Sequence, residues 1–473
     1  MDAYADYDGL GLAALVRQGE VTPLELVDAA AARAERHNPT LNAIVYAAFE
    51  EARDVARGPL PDGPFRGVPF LIKDLGQPVK GWPRTSGTRF DGDVVDAEDS
   101  ELVRRYRQAG VVLLGKTNTP EYGITGVTES QRLGPCRNPW STDHASGGSS
   151  GGAAAATAAG IVPLAHASDG LGSIRIPAAC CGLFGMKVTR DRNPNDGEVD
   201  RAIGLSVDHV VTRSVRDSAA MLDATGYPEP GAPYAPPPKA GPYLDELTRS
   251  PGRLRIAWSS QTPSGRPIEP EVQAALERTA DLLAGLDHEV FPRDLELDWR
   301  AFYRAQGAVS ASNFAAGMRE RIERMGREPQ PGELERLTLA AMHNGRRVTG
   351  EQVALGWRTL RRFSTEIVSM FEGFDVFLSP VMGTPAPPVG HIDPEALDPK
   401  EVSKRQGVAF PFTAPFNVTG QPSMSVPLAW SSGGLPIGMM FTGRYADEAT
   451  LFRLAAQLED AQPWADRRPS VWN

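Results

Sequence analysis

The chain has 473 residues, of which 41% are hydrophobic and 23% are charged, and its formal net charge is −10. This balance is typical of a globular protein with a large core, and the acidic charge disfavours a nucleic-acid partner, which would require a basic face. The three cysteines are not spaced as metal ligands and the N-terminus is acidic, so the sequence predicts a cytoplasmic protein with no metal site, secretory signal or membrane span.

The N-terminal part alternates helices with short apolar strands. Thr22, Pro23 and Glu25 form a capping-box pattern, which predicts a helix that continues to about His37. The apolar run that ends in Lys73 is short enough for a strand buried on both faces. A helix over 98–109 and a buried strand over 111–114 follow. Such alternation predicts an α/β layered fold.

The middle and C-terminal parts continue the same alternation. Residues 150–159 are predicted as a helix, 162–167 as a strand, and the region near Ile174 as a short helix. A proline-rich loop is predicted over 227–242. The later predicted elements are a strand at 254–258, a helix at 271–286, three helices between 299 and 371, strands at 376–379 and 423–428, and a helix at 448–458. We expect a single domain, 1–473, with a catalytic core at about 65–215 and a variable region at about 299–347.

A glycine-rich segment, SGGSSGG, begins at Ser146 and precedes the 150–159 helix. Within it, Gly147 to Gly151 matches the G-x-S-x-G nucleophile elbow of α/β-hydrolases, with Ser149 as the nucleophile. That site needs a histidine after the last strand, yet the last histidine of the chain is His391. A structural turn is the alternative. A phosphate-binding loop is disfavoured because the G-K-[ST] ending is absent.

A second serine, Ser173, follows the stretch Asp169-Gly170-Leu171-Gly172 and precedes the short helix. Consecutive main-chain N–H groups before a helix can stabilise an oxyanion, so this stretch is a candidate oxyanion hole. The alternative is a structural turn with an ion pair between Asp169 and Arg175. A serine nucleophile needs a base, and Lys73 can serve if burial holds it neutral. The alternative for Lys73 is a strand-end lysine that reaches solvent.

Taken together, Lys73, the GGSSGG segment around Ser149, and Ser173 in GSIRIP resemble the amidase signature family. The segments GKTNTPEYG, RNPW, PFNVTGQPSMSVP and GLPIG add to the resemblance. LLGKTNTPE and PWADRRP are also similar to bacterial hydrolases of the 6-aminohexanoate cyclic dimer. The resemblance covers nearly the whole chain. It implies an α/β fold with a central mixed sheet of about eleven strands covered by helices on both faces.

The resemblance also implies the roles of the site residues. Ser173 would be the nucleophile, Ser149 the bridging serine after a cis peptide bond, and Lys73 the base. The family pattern assigns the oxyanion hole to main-chain amides and the supporting roles to nearby polar side chains. The oxyanion residues would be Gly170, Leu171 and Gly172, with the amide of Ser173, and the supporting residues would be Ser150, Asp169 and Arg175. Leu171 departs from the glycine or alanine that is common in the family.

The function implied is hydrolysis of a small-molecule carboxamide or short amide oligomer through a Ser173 acyl-enzyme, with no cofactor. Tyr303, Asn313 and Phe314, in the variable region, are expected to contribute to the substrate pocket. The alternatives are the glutamine-hydrolysing subunit of a tRNA-dependent amidotransferase, or an aryl acylamidase or esterase. The expected partner is a small-molecule amide, without nucleic acid or membrane, and a homodimer is left open.

Overall fold

The computed structural model describes residues 3–92, 94–195, 204–229, 231–232 and 234–472. Its centre is one eleven-stranded sheet built from both halves of the chain. In chain order the strands are β1 (Ile44–Ala47), β2 (Pro69–Lys73), β3 (Val112–Thr117), β4 (Leu164–Asp169), β5 (Phe184–Lys187), β6 (Val207–Thr212), β7 (Arg255–Trp258), β8 (Glu289–Pro292), β9 (Val376–Pro380), β10 (Ser423–Trp430) and β11 (Pro436–Thr442). Their order across the sheet is β1-β3-β2-β4-β6-β5-β10-β11-β9-β7-β8.

The sheet is mixed, as predicted. Strand β2 is parallel to β3 and β4, and β7 is parallel to β8 and β9. The remaining neighbours are antiparallel. Strands β2 and β4 are buried at every position. Because β2 and β4 are parallel neighbours, the residues that follow them lie side by side at the carboxyl end of the sheet.

Helices connect the strands and cover the sheet. In chain order they are α1 (Gly9–Gln18), α2 (Pro23–Leu41), α3 (Phe49–Arg57), α4 (Glu101–Gln108), α5 (Gly151–Ala158), α6 (Arg175–Cys181), α7 (Val215–Thr225), α8 (Tyr243–Glu246), α9 (Pro270–Gly285), α10 (Trp299–Met325), α11 (Arg336–Gly345), α12 (Gly350–Met370), α13 (Pro399–Ala409), α14 (Ala414–Thr419) and α15 (Glu448–Ala461). Among the described residues, no helix is both long enough and apolar enough to span a bilayer.

The predicted start of helix α2 is confirmed. The Thr22 hydroxyl accepts from the Glu25 N–H at 3.2 Å, and the Glu25 carboxylate accepts from the Thr22 N–H at 2.7 Å. The helix continues past His37 to Leu41, with Pro39 in its last turn. Asn42 ends it in the left-handed conformation. The predicted end at about His37 is therefore wrong by one turn.

Several strands of the sheet have no prediction from sequence. Strand β6, VDHVVT, carries Asp208 and His209, which are fully buried, so it does not appear as an apolar run. Strand β11 contains Pro436 and Gly438, residues that weaken a strand pattern. Tertiary burial overrides local preference in both strands. Residues 230 and 233 of the predicted proline-rich loop lie outside the described residues.

Candidate active site

Lys73 is the last residue of β2, and its side chain is completely buried. Its Nζ lies 2.7 Å from the Ser149 Oγ and 3.0 Å from the Ser168 Oγ, within hydrogen-bond distance of both. The alternative prediction, that Lys73 reaches solvent from the strand end, is therefore wrong. The structure brings together two of the three predicted catalytic side chains, Lys73 and Ser149.

The carboxylate of Asp74 contacts Thr85 and Lys116. It accepts from the Thr85 N–H at 3.0 Å and from the Thr85 hydroxyl, and it lies 3.9 Å from the Nζ of Lys116. Burial raises the pKa of Asp74, although the Lys116 charge opposes that rise. Burial also lowers the pKa of Lys116, against the attraction of its carboxylate neighbours. The acidic neighbour in sequence thus interacts with a different lysine.

The glycine-rich loop is fixed by hydrogen bonds from threonine side chains to its main chain. The peptide bond between Gly148 and Ser149 is cis. The Thr119 hydroxyl donates to the Ser149 carbonyl at 3.0 Å, and the Thr128 hydroxyl donates to the Gly147 carbonyl at 2.9 Å. Gly147 has φ +78°, and a Cβ there would lie 2.7 Å from the Cα of Pro177. Only glycine allows the loop to approach helix α6 so closely.

Ser150, predicted as a supporting hydrogen-bonding residue near Lys73, bonds the main chain of Ser168. Its hydroxyl donates to the Ser168 carbonyl at 3.2 Å and accepts from the Ser168 N–H at 3.3 Å. The Ser168 side chain, which sequence reasoning missed, is in turn a hydrogen-bonded neighbour of Lys73. Ser150 therefore anchors the strand that carries this neighbour, because the start of α5 places its hydroxyl over the main chain of β4.

The loop after β4 is organised by the fully buried carboxylate of Asp169. It accepts from the Gly172 N–H at 2.6 Å and from the Arg175 Nε and Nη2, each at 2.9 Å. Burial by itself would raise the pKa of Asp169, but the Arg175 guanidinium and the hydrogen bonds hold it well below its usual range. The predicted supporting role of this pair is consistent with the contacts: a buried ion pair fixes the turn that carries Ser173.

The segment PFNVTGQ supplies further groups that hold this loop. The Asn417 amide donates to the Asp169 carbonyl at 2.9 Å, and its Oδ1 accepts from Arg175 at 2.6 Å. Just before this segment, the Thr413 carbonyl accepts from Arg175 at 3.0 Å, and the Thr413 hydroxyl donates to the Leu171 carbonyl at 2.5 Å. A sequence motif more than 200 positions away thus maps onto the same turn.

The predicted oxyanion amides are not equivalent. The Gly172 N–H is already engaged by Asp169, so this amide is not available to a substrate in the structure, and its predicted role is corrected on that ground. The amides of Gly170, Leu171 and Ser173 make no hydrogen bond to another of the described residues. Leu171 does not adopt a left-handed backbone, and the residue is 37% exposed. A leucine is accommodated because its side chain turns outward.

The predicted nucleophile, Ser173, lies half-buried between β4 and α6. Its hydroxyl makes no hydrogen bond within the described part of the chain. The C-terminal end of α6 is held by the RNPW segment: the Asn138 amide donates to the Cys180 carbonyl and the Trp140 indole to the Cys181 carbonyl, both at 2.8 Å. Both ends of the helix that follows Ser173 are therefore tied to the rest of the fold.

Helix α10 carries the three residues predicted for the substrate pocket. Tyr303 is 38% exposed, with its hydroxyl 3.5 Å from the Pro411 carbonyl. The Phe314 ring packs on Tyr122 at 5.8 Å between centroids, in a small apolar cluster. Asn313 is half-buried and has no polar contact with the described residues. Their predicted role in substrate binding is untested.

An apolar cavity lies near the start of α10. Its lining consists mainly of aromatic and proline side chains from α10, β9, the segment before α14 and the start of α14, including Trp299, Phe377, Pro411, Phe412 and Phe416. None of the three predicted pocket residues lines this cavity. Trp299, one turn before Tyr303, does. The segment 411–416 that forms one wall also contains Thr413, which is bonded to the nucleophile loop.

Sequence reasoning missed Ser168 and Asp208, and it assigned His166 a structural role because no carboxylate partner was evident. The His166 Nδ1 lies 3.2 Å from the Lys73 main-chain N, and its Nε2 lies 2.8 Å from the Asp208 Oδ1. His166 and Ser168 are two positions apart on β4 and share a face, so alternation along the predicted strand could have revealed them. No histidine contact to Ser149 is found among the described residues, which disfavours the nucleophile-elbow interpretation.

Comparisons with known proteins identify the family. The family model described as Amidase matches residues 25–452. The 6-aminohexanoate-cyclic-dimer hydrolase of Paenarthrobacter ureafaciens is 37% identical over 482 residues, covering 98% of this chain and 97% of that protein. A solved 6-aminohexanoate cyclic dimer hydrolase, complexed with substrate, gives a TM-score of 0.93 at 35% identity and covers 99% of this chain and 100% of that chain.

A bacterial aryl acylamidase of the amidase signature family gives a TM-score of 0.87 at 27% identity and covers 97% of both chains. These matches extend over nearly the whole length, so they confirm both the predicted family and the predicted mixed-sheet fold. The chain belongs to the amidase signature family and is a hydrolase that acts on amides.

Proposed function

We propose that this protein hydrolyses a small cyclic or linear amide through an acyl-enzyme on Ser173, with Ser149 and Lys73 relaying the proton. The observation that carries the proposal is the 2.7 Å hydrogen bond between the buried Lys73 Nζ and the Ser149 Oγ. Complete burial disfavours a charged ammonium, so it favours the neutral amine that a base requires.

The first half of the reaction forms the ester. Neutral Lys73 accepts the hydroxyl proton of Ser149, and Ser149 accepts that of Ser173 as the Ser173 oxygen attacks the amide carbon. The amides of Gly170, Leu171 and Ser173 stabilise the negative oxygen that results. The proton then passes back through Ser149 to the departing nitrogen, the C–N bond breaks, and an amine leaves.

The second half of the reaction releases the acid. Water attacks the ester while its proton follows the same route to Lys73, and the proton returns to the Ser173 oxygen as the C–O bond breaks. Each half therefore returns Lys73 and Ser149 to their starting protonation states, and the second half restores the Ser173 hydroxyl. No oxidant, metal or organic cofactor enters this balance.

The substrate class rests on the relatives and on the cavity. A 6-aminohexanoate unit joins amide groups through an apolar chain, and the aromatic and proline side chains of the cavity at 411–416 offer an apolar surface to part of such a chain. A cytoplasmic location is part of the proposal, supported by the three cysteines, which are buried and unpaired. A homodimer remains a prediction from sequence.

The test is product release from a panel of amides: the 6-aminohexanoate cyclic dimer, a linear aminohexanoate dimer, an anilide, an ester and glutamine. We expect wild type to act on at least one aminohexanoate amide, and Ser173→Ala to lose at least about 1,000-fold in kcat. Ser141→Ala is the matched control, since Ser141 bonds only His144 among the described residues. Turnover of the anilide alone would favour an aryl acylamidase, and glutamine turnover dependent on a partner subunit would favour the amidotransferase.

The nucleophile is tested directly by labelling with a fluorophosphonate and mapping the modified residue by mass spectrometry. We expect one label on Ser173, absent from Ser173→Ala and retained in Ser141→Ala. A label on Ser149 in the wild-type protein would contradict the proposed order of the two serines, whereas activity that survives in Ser173→Ala would contradict the acyl-enzyme.

A further inference from the structure

Two buried side chains form a hydrogen-bonded chain that reaches the main chain of Lys73. His166 on β4 and Asp208 on β6 are both completely buried. Register places Ser168 opposite Asp208 across these antiparallel strands, so His166 and Asp208 are diagonal neighbours on one face. The ring of Tyr106 packs on His166, with centroids 6.0 Å apart. The proposed chemistry uses neither His166 nor Asp208.

The hydrogen bonds fix the protonation of the imidazole from both ends. The Lys73 main-chain N–H can only donate, so the His166 Nδ1, 3.2 Å away, must be the acceptor. A carboxylate can only accept, so the His166 Nε2, 2.8 Å from Asp208, must carry the proton. Both contacts require the same neutral tautomer. Asp208 therefore fixes the proton on Nε2 and leaves Nδ1 as the acceptor for Lys73, as a hydrogen-bonded carboxylate commonly does for a functional histidine.

Lys73 is held at two points by the same strand. The His166 ring bonds its main-chain N–H, and the Ser168 hydroxyl bonds its Nζ. Lys73 is also the last residue of β2, where regular sheet pairing ends. A side chain that bonds its main chain there limits the movement of the whole residue, and with it the distance from the amine to Ser149.

We propose that His166, held in one tautomer by Asp208, is a positioning residue that fixes the main chain of Lys73 and so the reach of its amine to Ser149. The inference rests on the proposed role of Lys73 as the base. Its effect falls on the proton relay and not on substrate binding, because neither side chain belongs to the loop or cavity that would contact the substrate.

Two substitutions of His166 separate its two contacts. In His166→Asn the Oδ1 takes nearly the place of Nδ1, so the acceptor for Lys73 is retained while the contact to Asp208 is lost. In His166→Gln the amide takes nearly the place of Nε2, so the contact to Asp208 is retained while the acceptor for Lys73 is lost. The readouts are the rate of fluorophosphonate labelling of Ser173 and the melting temperature.

We expect His166→Gln to slow labelling by about 10- to 100-fold, a loss of the size that small misplacements of catalytic groups cause. We expect His166→Asn to slow it by less than about 5-fold, but to melt at the lower temperature, because losing a donor to a buried charge costs more than losing an acceptor for a neutral N–H. The two rankings are thus opposite. A merely structural role predicts that labelling and melting temperature fall together.

The control is the next residue on β6, His209, which is also fully buried and bonds Ser218 at 2.9 Å through Nε2. His209→Gln should keep the labelling rate within about 2-fold of wild type. Equal labelling rates for the two His166 variants, or rates that follow melting temperature, would overturn the inference. If wild type labels on a residue other than Ser173, the proposed function fails instead, so the two failures are distinguishable.

Discussion

The two serine loops, residues 146–150 and 169–175, differ from the variable helices α10 to α12 in how polar groups are held. In the serine loops the charges are buried and bonded to distant main-chain atoms, as in the contacts of Asp169 and Arg175. In the connections between the variable helices, Glu328 follows α10 and Arg346 follows α11, and they form an exposed ion pair, with side chains 61% and 38% exposed. Buried polar groups restrict which residues can stand in the loops, so sequence patterns there are specific. The exposed faces impose no such restriction.

The strongest test of this difference between the two regions is to remove one buried charge. Asp169→Asn keeps the shape of the side chain but leaves the Arg175 guanidinium without its buried partner. We expect a loss of about 3–5 kcal/mol in the free energy of unfolding, measured by urea denaturation, with labelling of Ser173 largely abolished.

Glu328→Gln, in the connection between α10 and α11, is the matched control. Because its partner Arg346 is exposed to solvent, we expect little change in the urea midpoint and none in labelling. A comparable loss of stability from the two substitutions would remove the distinction between the regions.

A second prediction concerns pH and Glu335, the residue before α11, which is 3% exposed. Burial, with the nearby charge of Glu121, raises the pKa of Glu335 from 4.5 to about 8. The folded state therefore keeps a proton that the unfolded state has lost between these values, so this group's contribution to stability falls as pH rises from about 4.5 to 8. We expect Glu335→Gln to make the decline in melting temperature between pH 5 and 9 less steep.

The exposed Glu328→Gln serves again as the comparison, and its melting temperature should follow that of wild type across the same pH range. A Glu335→Gln protein whose melting temperature falls with pH as steeply as wild type would show that the carboxyl is already ionised in the folded state.

The smallest expected effects lie in helix α10 itself and decide which of its residues contact the substrate. Trp299 lines the cavity, whereas Tyr303 makes one long contact to Pro411. For the aminohexanoate amide with the highest turnover, we expect Trp299→Leu to raise KM by about 10-fold and Tyr303→Phe by less than about 2-fold. The reverse ranking would show that Tyr303, the residue predicted from sequence, contributes more to substrate binding than Trp299.

Much of the site could be predicted from sequence, for reasons that the contacts make plain. The glycines of GGSSGG mark a close approach to helix α6, and the apolar run before Lys73 marks a buried strand. Ser168 and His166 could not be singled out so easily, because a polar residue in a buried strand acquires its role only from its neighbours across the sheet. Strand β6, which contributes Asp208, had no prediction at all for the same reason.

The pocket was harder to predict than the relay for a different reason. Aromatic residues on α10 also pack in the core, as Phe302 does against Phe363 of α12 at 5.5 Å between ring centroids, and the helical pattern does not distinguish packing from binding. Phe314 illustrates this, since its apolar face contacts Tyr122. Only the three-dimensional arrangement distinguishes Trp299 from its neighbours.

The outward side chain of Leu171 has a consequence for how new activities can arise. The proposed chemistry uses only the main chain of this residue, and 37% of the residue's surface remains accessible. Natural drift or a directed library can therefore exchange this leucine for smaller or polar residues and change the surface at this loop. Such an exchange leaves the proton relay of Lys73 and Ser149 unchanged.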